Sequence, residues 1–167
     1  MEFDVKITSQ DMYRFHMYHM YTGFHGIVSI VVAIIAFVAA IATWGDVELT
    51  YSVLYIVFGV VFLCYLPLTL WGRAKRQIAM SEVLQQTLHY SFDEEGVHVT
   101  VGDEAATLPW KQIYKMVSTK HNILIYSNRI NAYIIPRASL GGQYEELCAL
   151  AGKYLKNYQN RMKQVKK

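Results

Sequence analysis

The chain is 167 residues long, 53% apolar and only 17% charged, with a formal net charge of +3. A typical soluble domain carries roughly 25% charged residues, so this balance speaks against an ordinary water-soluble globule. The length allows one modest domain with appendages, and two cysteines far apart, Cys64 and Cys148, exclude a disulfide framework or a cysteine-rich metal site.

Glu2 to Ile7, "EFDVKI", alternates polar and apolar residues and reads as a short strand. In "TSQD", Thr8 offers a helix cap with Asp11 three residues on, so a helix is expected from about Ser9. Tyr13 to Gly26, "YRFHMYHMYTGFHG", then packs five aromatics and three histidines into fourteen positions. On a helix, Tyr13, Met17, Met20, Tyr21 and Phe24 share one face. His16 and His19 lie beside it and His25 opposite, which makes a poor metal site. Aromatic rings with polar tips concentrate at lipid headgroup level. Residues 1–25 are therefore read as a cytoplasmic strand and an amphipathic interfacial helix, with Tyr13, Tyr21 and Phe24 as interface anchors. Packing of the same ring cluster against a cytoplasmic domain is the second reading, and metal binding the last.

Between Arg14 and Asp46, and again from Leu49 to Gly72, there is no Asp, Glu, Lys or Arg. Apolar stretches of about 18 residues or more are the mark of transmembrane helices. Gly26–Thr43 and Leu49–Trp71 both fit, giving a two-span hairpin over residues 26–72. A cleaved signal peptide fits poorly, because the first 25 residues are mixed and polar and a second apolar run follows at once. Trp44 and Tyr51 mark the outer interface, Tyr65 and Trp71 the inner one. Ser29, Ala33, Ala36 and Ala40 form a small-residue stripe on the first span, with Ser52 and Gly59 as counterpart on the second. That stripe serves either the hairpin contact or a dimer seam. Pro67 should kink the second helix. No ionisable group lies within the spans, so proton relays and gating charges are not expected. The linking "WGDVE" is acidic whereas "GRAKR" follows the second span and Lys6 and Arg14 precede the first. Positive charge stays inside. The expectation is a multi-pass protein of the cell membrane with both termini cytoplasmic.

Residues 73–87 read as a connecting helix. Beyond them the pattern becomes strand-like: "LHYSF", "VHVTV", "ATLPW", "IYKMVST", "HNILIYS" and "NAYIIP", divided by turn residues. Gly141-Gly142 is a break, and Gln143 to Tyr158 reads as a closing helix with Leu147, Leu150, Ala151 and Tyr154 on one face. The expected fold is an α+β membrane protein, with about five antiparallel strands and a C-terminal helix in a module over residues 88–158 and a basic tail over 159–167.

The two spans, the hairpin "YSFDEEGVHV", the motif "LPWKQIYKM" and "AYIIPRASL" before the last helix resemble the YcxB-like membrane proteins of Gram-positive bacteria. "FDVKITSQDMYRF" is similar to the opening segment of such proteins. The resemblance implies a bacterial cell-membrane protein with a cytoplasmic sheet-and-helix module related to pleckstrin-homology (PH)-like domains. On that resemblance Trp110 and Ile113 would pack the module core and Pro136 would close its last strand. It implies no activity.

The sequence has no Gly-rich phosphate loop, G-x-S-x-G, H-E-x-x-H or C-x-x-C, and the acids of "DEEGVHVTVGDE" lack calcium-loop order. His98 and His121 could meet across neighbouring strands. No enzyme, no cofactor, no metal, no small-molecule substrate and no nucleic-acid partner are expected. Arg73, Lys75 and Arg76 at the inner surface, with Lys153, Lys156, Arg161, Lys163, Lys166 and Lys167 near the end, are candidates for anionic lipid or partner contact. The alternatives are a purely orienting role for the first cluster and a solvated tail for the second. The function expected is a membrane-anchored, non-enzymatic binding or scaffold protein whose partners are the bilayer and a membrane protein or a second copy of itself. The alternative is self-protection against a membrane-active toxin or bacteriocin. Transport would need several copies, because two apolar helices enclose no pore.

Overall fold

The computed structural model describes residues 1–162, except for the side chain of His25. Lys163, Lys166 and Lys167 of the basic tail lie outside the described residues. The chain divides into two compact units, one formed by Met1–Phe15 together with the chain from Lys75 on, the other by His16–Ala74.

The first unit holds two four-stranded sheets. One is built in the order β1 (Glu2–Val5), β2 (Leu88–Phe92), β3 (Gly96–Val101) and β4 (Glu104–Pro109), all antiparallel. The expected N-terminal strand is present, with Phe3 opposite Tyr90 and Val5 opposite Leu88. Period-two alternation puts Val5, Leu88, Tyr90, Phe92, Val97 and Val99 into the core. Asp4, His89 and Thr107 are left exposed and His98 half-buried. Gly96 begins β3 because no side chain fits there: a Cβ would lie 2.3 Å from the Leu108 carbonyl oxygen.

The second sheet runs β7 (Ala132–Pro136), β6 (Asn122–Tyr126), β5 (Lys115–Ser118) and β8 (Asn160–Arg161). Every residue of β6, "NILIY", is buried. A strand covered on both faces need not alternate. The module has six strands, β2 to β7, rather than about five, and β8 was unforeseen. It pairs parallel to β5, with Met116 opposite Asn160. The closing helix α5 spans Tyr144–Tyr154, five residues shorter than its sequence suggested. The chain turns at Lys156–Gln159 because Gln159 donates from Nε2 to the Ile113 carbonyl at 2.8 Å and Asn160 is drawn into the sheet.

Helix α1 (Ser9–Tyr21) starts as expected. Thr8 Oγ1 accepts from the Asp11 amide at 3.2 Å while Asp11 Oδ2 accepts from the Thr8 amide at 3.2 Å, a reciprocal capping box. Its buried residues are Asp11, Met12 and Phe15, not the aromatic stripe read from the sequence. Tyr13, Met17, Met20 and Tyr21 are half-buried, and Phe24 already belongs to the next helix. The core contacts of α1 come from its first two turns. There Asn122 Nδ2 donates to the Asp11 carbonyl at 3.1 Å and the Phe15 ring meets Tyr126 with centroids 6.2 Å apart.

In the second unit, α2 (Phe24–Ala42) and α3 (Leu49–Met80) are the apolar helices. At 32 residues, α3 is long and apolar enough to cross a membrane. At 1.5 Å per residue it reaches about 48 Å, more than the roughly 30 Å hydrocarbon core. A second span is available only if Ser9–Tyr21 and Gly26–Ala42, bent by 72° at their break, count as one. Residues 73–87 are not a separate helix. Residues up to Met80 continue α3, and Ser81 then caps a short α4 (Glu82–Gln85), its Oγ accepting from Leu84 N at 3.3 Å. Helices α2 and α3 touch through the small residues: Ala33, Ala36, Ala40, Ser52 and Gly59 are all buried. Ser29 Oγ donates to the Phe62 carbonyl at 2.9 Å. At Gly59 a Cβ would stand 2.9 Å from the Phe37 ring. The stripe therefore lies in the contact between the two helices.

Candidate interaction surfaces

The best-defined polar constellation surrounds the β2–β3 turn. Asp93 Oδ1 accepts from the amides of Glu95 and Gly96 at 2.8 and 3.1 Å, which folds the acidic run into a tight turn. Asp93 Oδ2 lies 2.8 Å from His98 Nε2, whose Nδ1 is 2.9 Å from Thr107 Oγ1. The His98 contact, then the Gly96 amide, hold the Asp93 carboxyl below its ordinary value. Trp110, in the 3₁₀ turn Trp110–Gln112, donates from Nε1 to the Asp93 carbonyl at 2.9 Å. Its ring packs between Phe92 (6.4 Å) and Tyr154 of α5 (5.1 Å, stacked). The motif "LPWKQ" thus fastens the turn and the closing helix to one indole. Trp110 and Ile113 are 5% and 1% exposed, and Pro136 ends β7.

His98 and His121 do not meet. His98 is on β3 in the first sheet, and His121 sits in the β5–β6 turn of the second, where its carbonyl accepts from Arg137 N at 2.8 Å. His89 instead faces β1, with Nδ1 2.7 Å from Asp4 Oδ1 and Nε2 3.9 Å from Glu2 Oε2. Among the described residues no group of three or more His, Cys, Asp or Glu is placed to hold a metal. Cys148 lies beside Tyr144, whose hydroxyl donates to Ser118 Oγ at 2.8 Å and whose ring carries the Arg137 guanidinium at 4.0 Å. Burial pushes the Cys148 thiol up, away from the thiolate that a nucleophile would need.

Arg73, Lys75 and Arg76 are exposed on α3. Lys153 is engaged with Glu94 at 3.4 Å and stands over the Tyr154 ring at 4.8 Å. Lys156 is exposed in the turn after α5, and Arg161 is exposed on β8. Lys115 on the neighbouring strand lies over Tyr126 at 4.4 Å; burial, and then the nearby Arg161, lower its pKa. Trp44, Tyr51, Tyr65 and Trp71 are exposed on or beside the apolar helices, as is Phe24, while Tyr13 and Tyr21 are half-buried on α1.

Two features escaped the sequence reading. Asn122, 1% exposed, ties α1 to β6, and its only sequence signal is a polar residue opening an otherwise apolar strand. Strand β4 forms an edge of its sheet, with Glu104 to Thr107 all exposed. Its sequence, rich in Ala and Thr, left that edge unremarked.

Residues 92–151 match the family model described as YcxB-like protein. The matched segment contains most of the hairpin, the Trp110 motif and "AYIIPRASL", three of the motifs that carried the resemblance, while the two apolar runs and "FDVKITSQDMYRF" lie outside it. No curated protein and no solved structure matches the chain.

Proposed function

We propose that the chain is a membrane-anchored, non-enzymatic binding or regulatory protein that presents a PH-like module at the inner surface of the bacterial cell membrane. The observation that carries this reading is the pairing of β1 with β2. The two strands precede and follow the apolar helices, yet they share one sheet. A chain that crossed a membrane once between them would leave them on opposite sides. If α3 crosses, a second crossing must return the chain, and α2, counted with α1 as one bent span, is the stretch available for it. This parity argument supports a two-span hairpin with both ends on one side, and the bases after the second run favour the cytoplasm. Two sheets of three consecutive antiparallel strands each, followed by a helix, support the PH-like reading of the module.

The binding surface in this proposal is the β4 edge, which takes an extended strand from a membrane-protein partner. β4 has a strand on one side only, and its side chains Glu104 to Thr107 are exposed. The test is a crosslinked pull-down of the full chain from its own membranes, alongside Ala105→Pro, which removes an amide from the open side of the edge because Ala105 alternates with the residues bonded to β3. A stoichiometric membrane protein recovered with the native chain and lost with the variant supports the reading. Recovery of the chain alone sinks it and turns attention to self-association. Topology is tested separately by labelling Asp46→Cys and Glu94→Cys with an impermeant maleimide in intact cells. Labelling at position 46 only is expected, and labelling at 94 refutes the orientation.

A further inference from the structure

The sheet-and-helix unit contains a cavity of about 240 Å³ lined by thirteen residues from α1, α3, α4, β2 and β7 and the turns beside them, none of them charged. The buried side chains of Ile7, Met12, Leu88 and Ile134 form its apolar wall, and the exposed Asn131 marks where it reaches the surface. Tyr90 completes the lining. This residue is 0% exposed, and its hydroxyl has no hydrogen-bond partner among the described residues. A buried hydroxyl without a partner is costly, so such a group points to an occupant.

We infer that this cavity is a binding site for a small uncharged molecule with an apolar body and one hydrogen-bonding group, held at the Tyr90 hydroxyl. Size, charge and polarity each narrow the class. A cavity of about 150 Å³ already admits benzene, so this one takes a substituted ring or a chain of comparable bulk. An ion is disfavoured, because no lining residue would compensate the loss of its hydration. Bulk-like water is disfavoured as well, since each buried water seeks two to four polar partners and the wall is mainly aliphatic. Burial, and next to it Tyr133, hold the Tyr90 phenol above its ordinary pKa, so it remains a neutral donor and acceptor. Nothing in this inference depends on the partner strand proposed for β4. No local pattern announces the site, because the lining is gathered from segments as far apart as Ile7 and Ile134.

The test uses the full chain in lipid nanodiscs with labelled Ile, Leu and Met methyl groups, titrated with p-cresol and with toluene at matched free aqueous concentrations. Saturable shifts are expected at Ile7, Met12, Leu88 and Ile134. p-Cresol should bind about 2- to 13-fold more tightly than toluene, the range that one net hydrogen bond supplies. In Tyr90→Phe, which keeps the ring, that advantage should vanish while toluene still binds. Leu84→Trp, which fills the cavity from α4, should abolish binding of both. Absence of saturable shifts in the native chain overturns the site. Equal affinity for the two ligands, or a cresol advantage that survives Tyr90→Phe, overturns the role of Tyr90. Binding that persists in Leu84→Trp places the ligand elsewhere and overturns the proposal.

Discussion

Replacing Val5 by Ala tests the contact on which the topology argument stands. Val5 is 0% exposed and sits opposite Leu88 in the β1–β2 pairing. The substitution removes two buried carbons, worth about 0.8 kcal/mol each, or about 1.6 kcal/mol together. If the site does not collapse, a residual void of roughly 40 Å³ adds about 1 kcal/mol. The expected loss is therefore about 1.6 to 2.6 kcal/mol, read as about 15- to 80-fold faster amide exchange in β2, whose outer hydrogen bonds are protected by β1. Hydrogen exchange followed by mass spectrometry on the full chain in nanodiscs measures this without assuming that the chain unfolds in one step. Asp4→Asn is the internal control. Its side chain lies on the other face of the same strand, near His89 at 2.7 Å, and exposed ion pairs are weak. That variant should change the rate by no more than about threefold. If Val5→Ala leaves exchange in β2 unchanged, β1 is not docked in solution, and the requirement for an even number of crossings disappears with it.

Further outcomes follow from other contacts. Gly96→Ala should destabilise the module severely and raise its protease sensitivity, because the new Cβ would stand 2.3 Å from a backbone carbonyl that cannot swing away. Asp93 should make the β2–β3 turn acid-sensitive. Its folded pKa lies below the ordinary 3.8, so the unfolded chain takes up the proton first as pH falls. Its contribution is complete above that value and is lost as pH falls through the lower, folded one; exchange in the turn should quicken there, and Asp93→Asn should remove that dependence. In a Cys64→Ala background Cys148 is the one remaining thiol, and its maleimide reaction should follow a pH profile displaced above 9.0, slower at pH 8 than a free cysteine. A profile at or below that of free cysteine would contradict the burial described for it.

The sequence made some elements legible because local chemistry decides them. The alternation of "EFDVKI", the Thr8–Asp11 cap and the break at Gly141 each act within a few residues, and each stands where it was read. Trp110 was legible through resemblance alone, since nothing local announces that its indole will bond the Asp93 carbonyl seventeen residues earlier. The features left unread have a common cause. The face of α1, the length of α5 and the strand β8 are all decided by distant partners: Asn122 and Tyr126 for the first, Ile113 and Met116 for the other two. Helical periodicity over residues 13–24 carried no information about where in the chain those partners would be. The cavity at Tyr90 belongs to the same class, being a gap between elements rather than a property of any one.

What unites these observations is that the module is not continuous in sequence. Its first sheet needs Glu2–Val5, its core needs Met12 and Phe15, and the apolar helices are inserted between these residues and β2. The contact between α2 and α3 can form early because it is local in sequence, whereas β1 can pair only once Leu88–Phe92 has been made. With β1 seated, that edge of the first sheet is occupied by the chain's own strand, and β4 forms the other edge. Acids flank the start of β4, at Asp103 and Glu104, and Pro109 ends it, the devices by which proteins restrain open edges from indiscriminate pairing. The middle, Ala105 to Thr107, carries small side chains and no such guard. An edge restrained at both ends and permissive over three residues suits a short, specific strand, and that is the kind of partner for which the β4 surface should be tested.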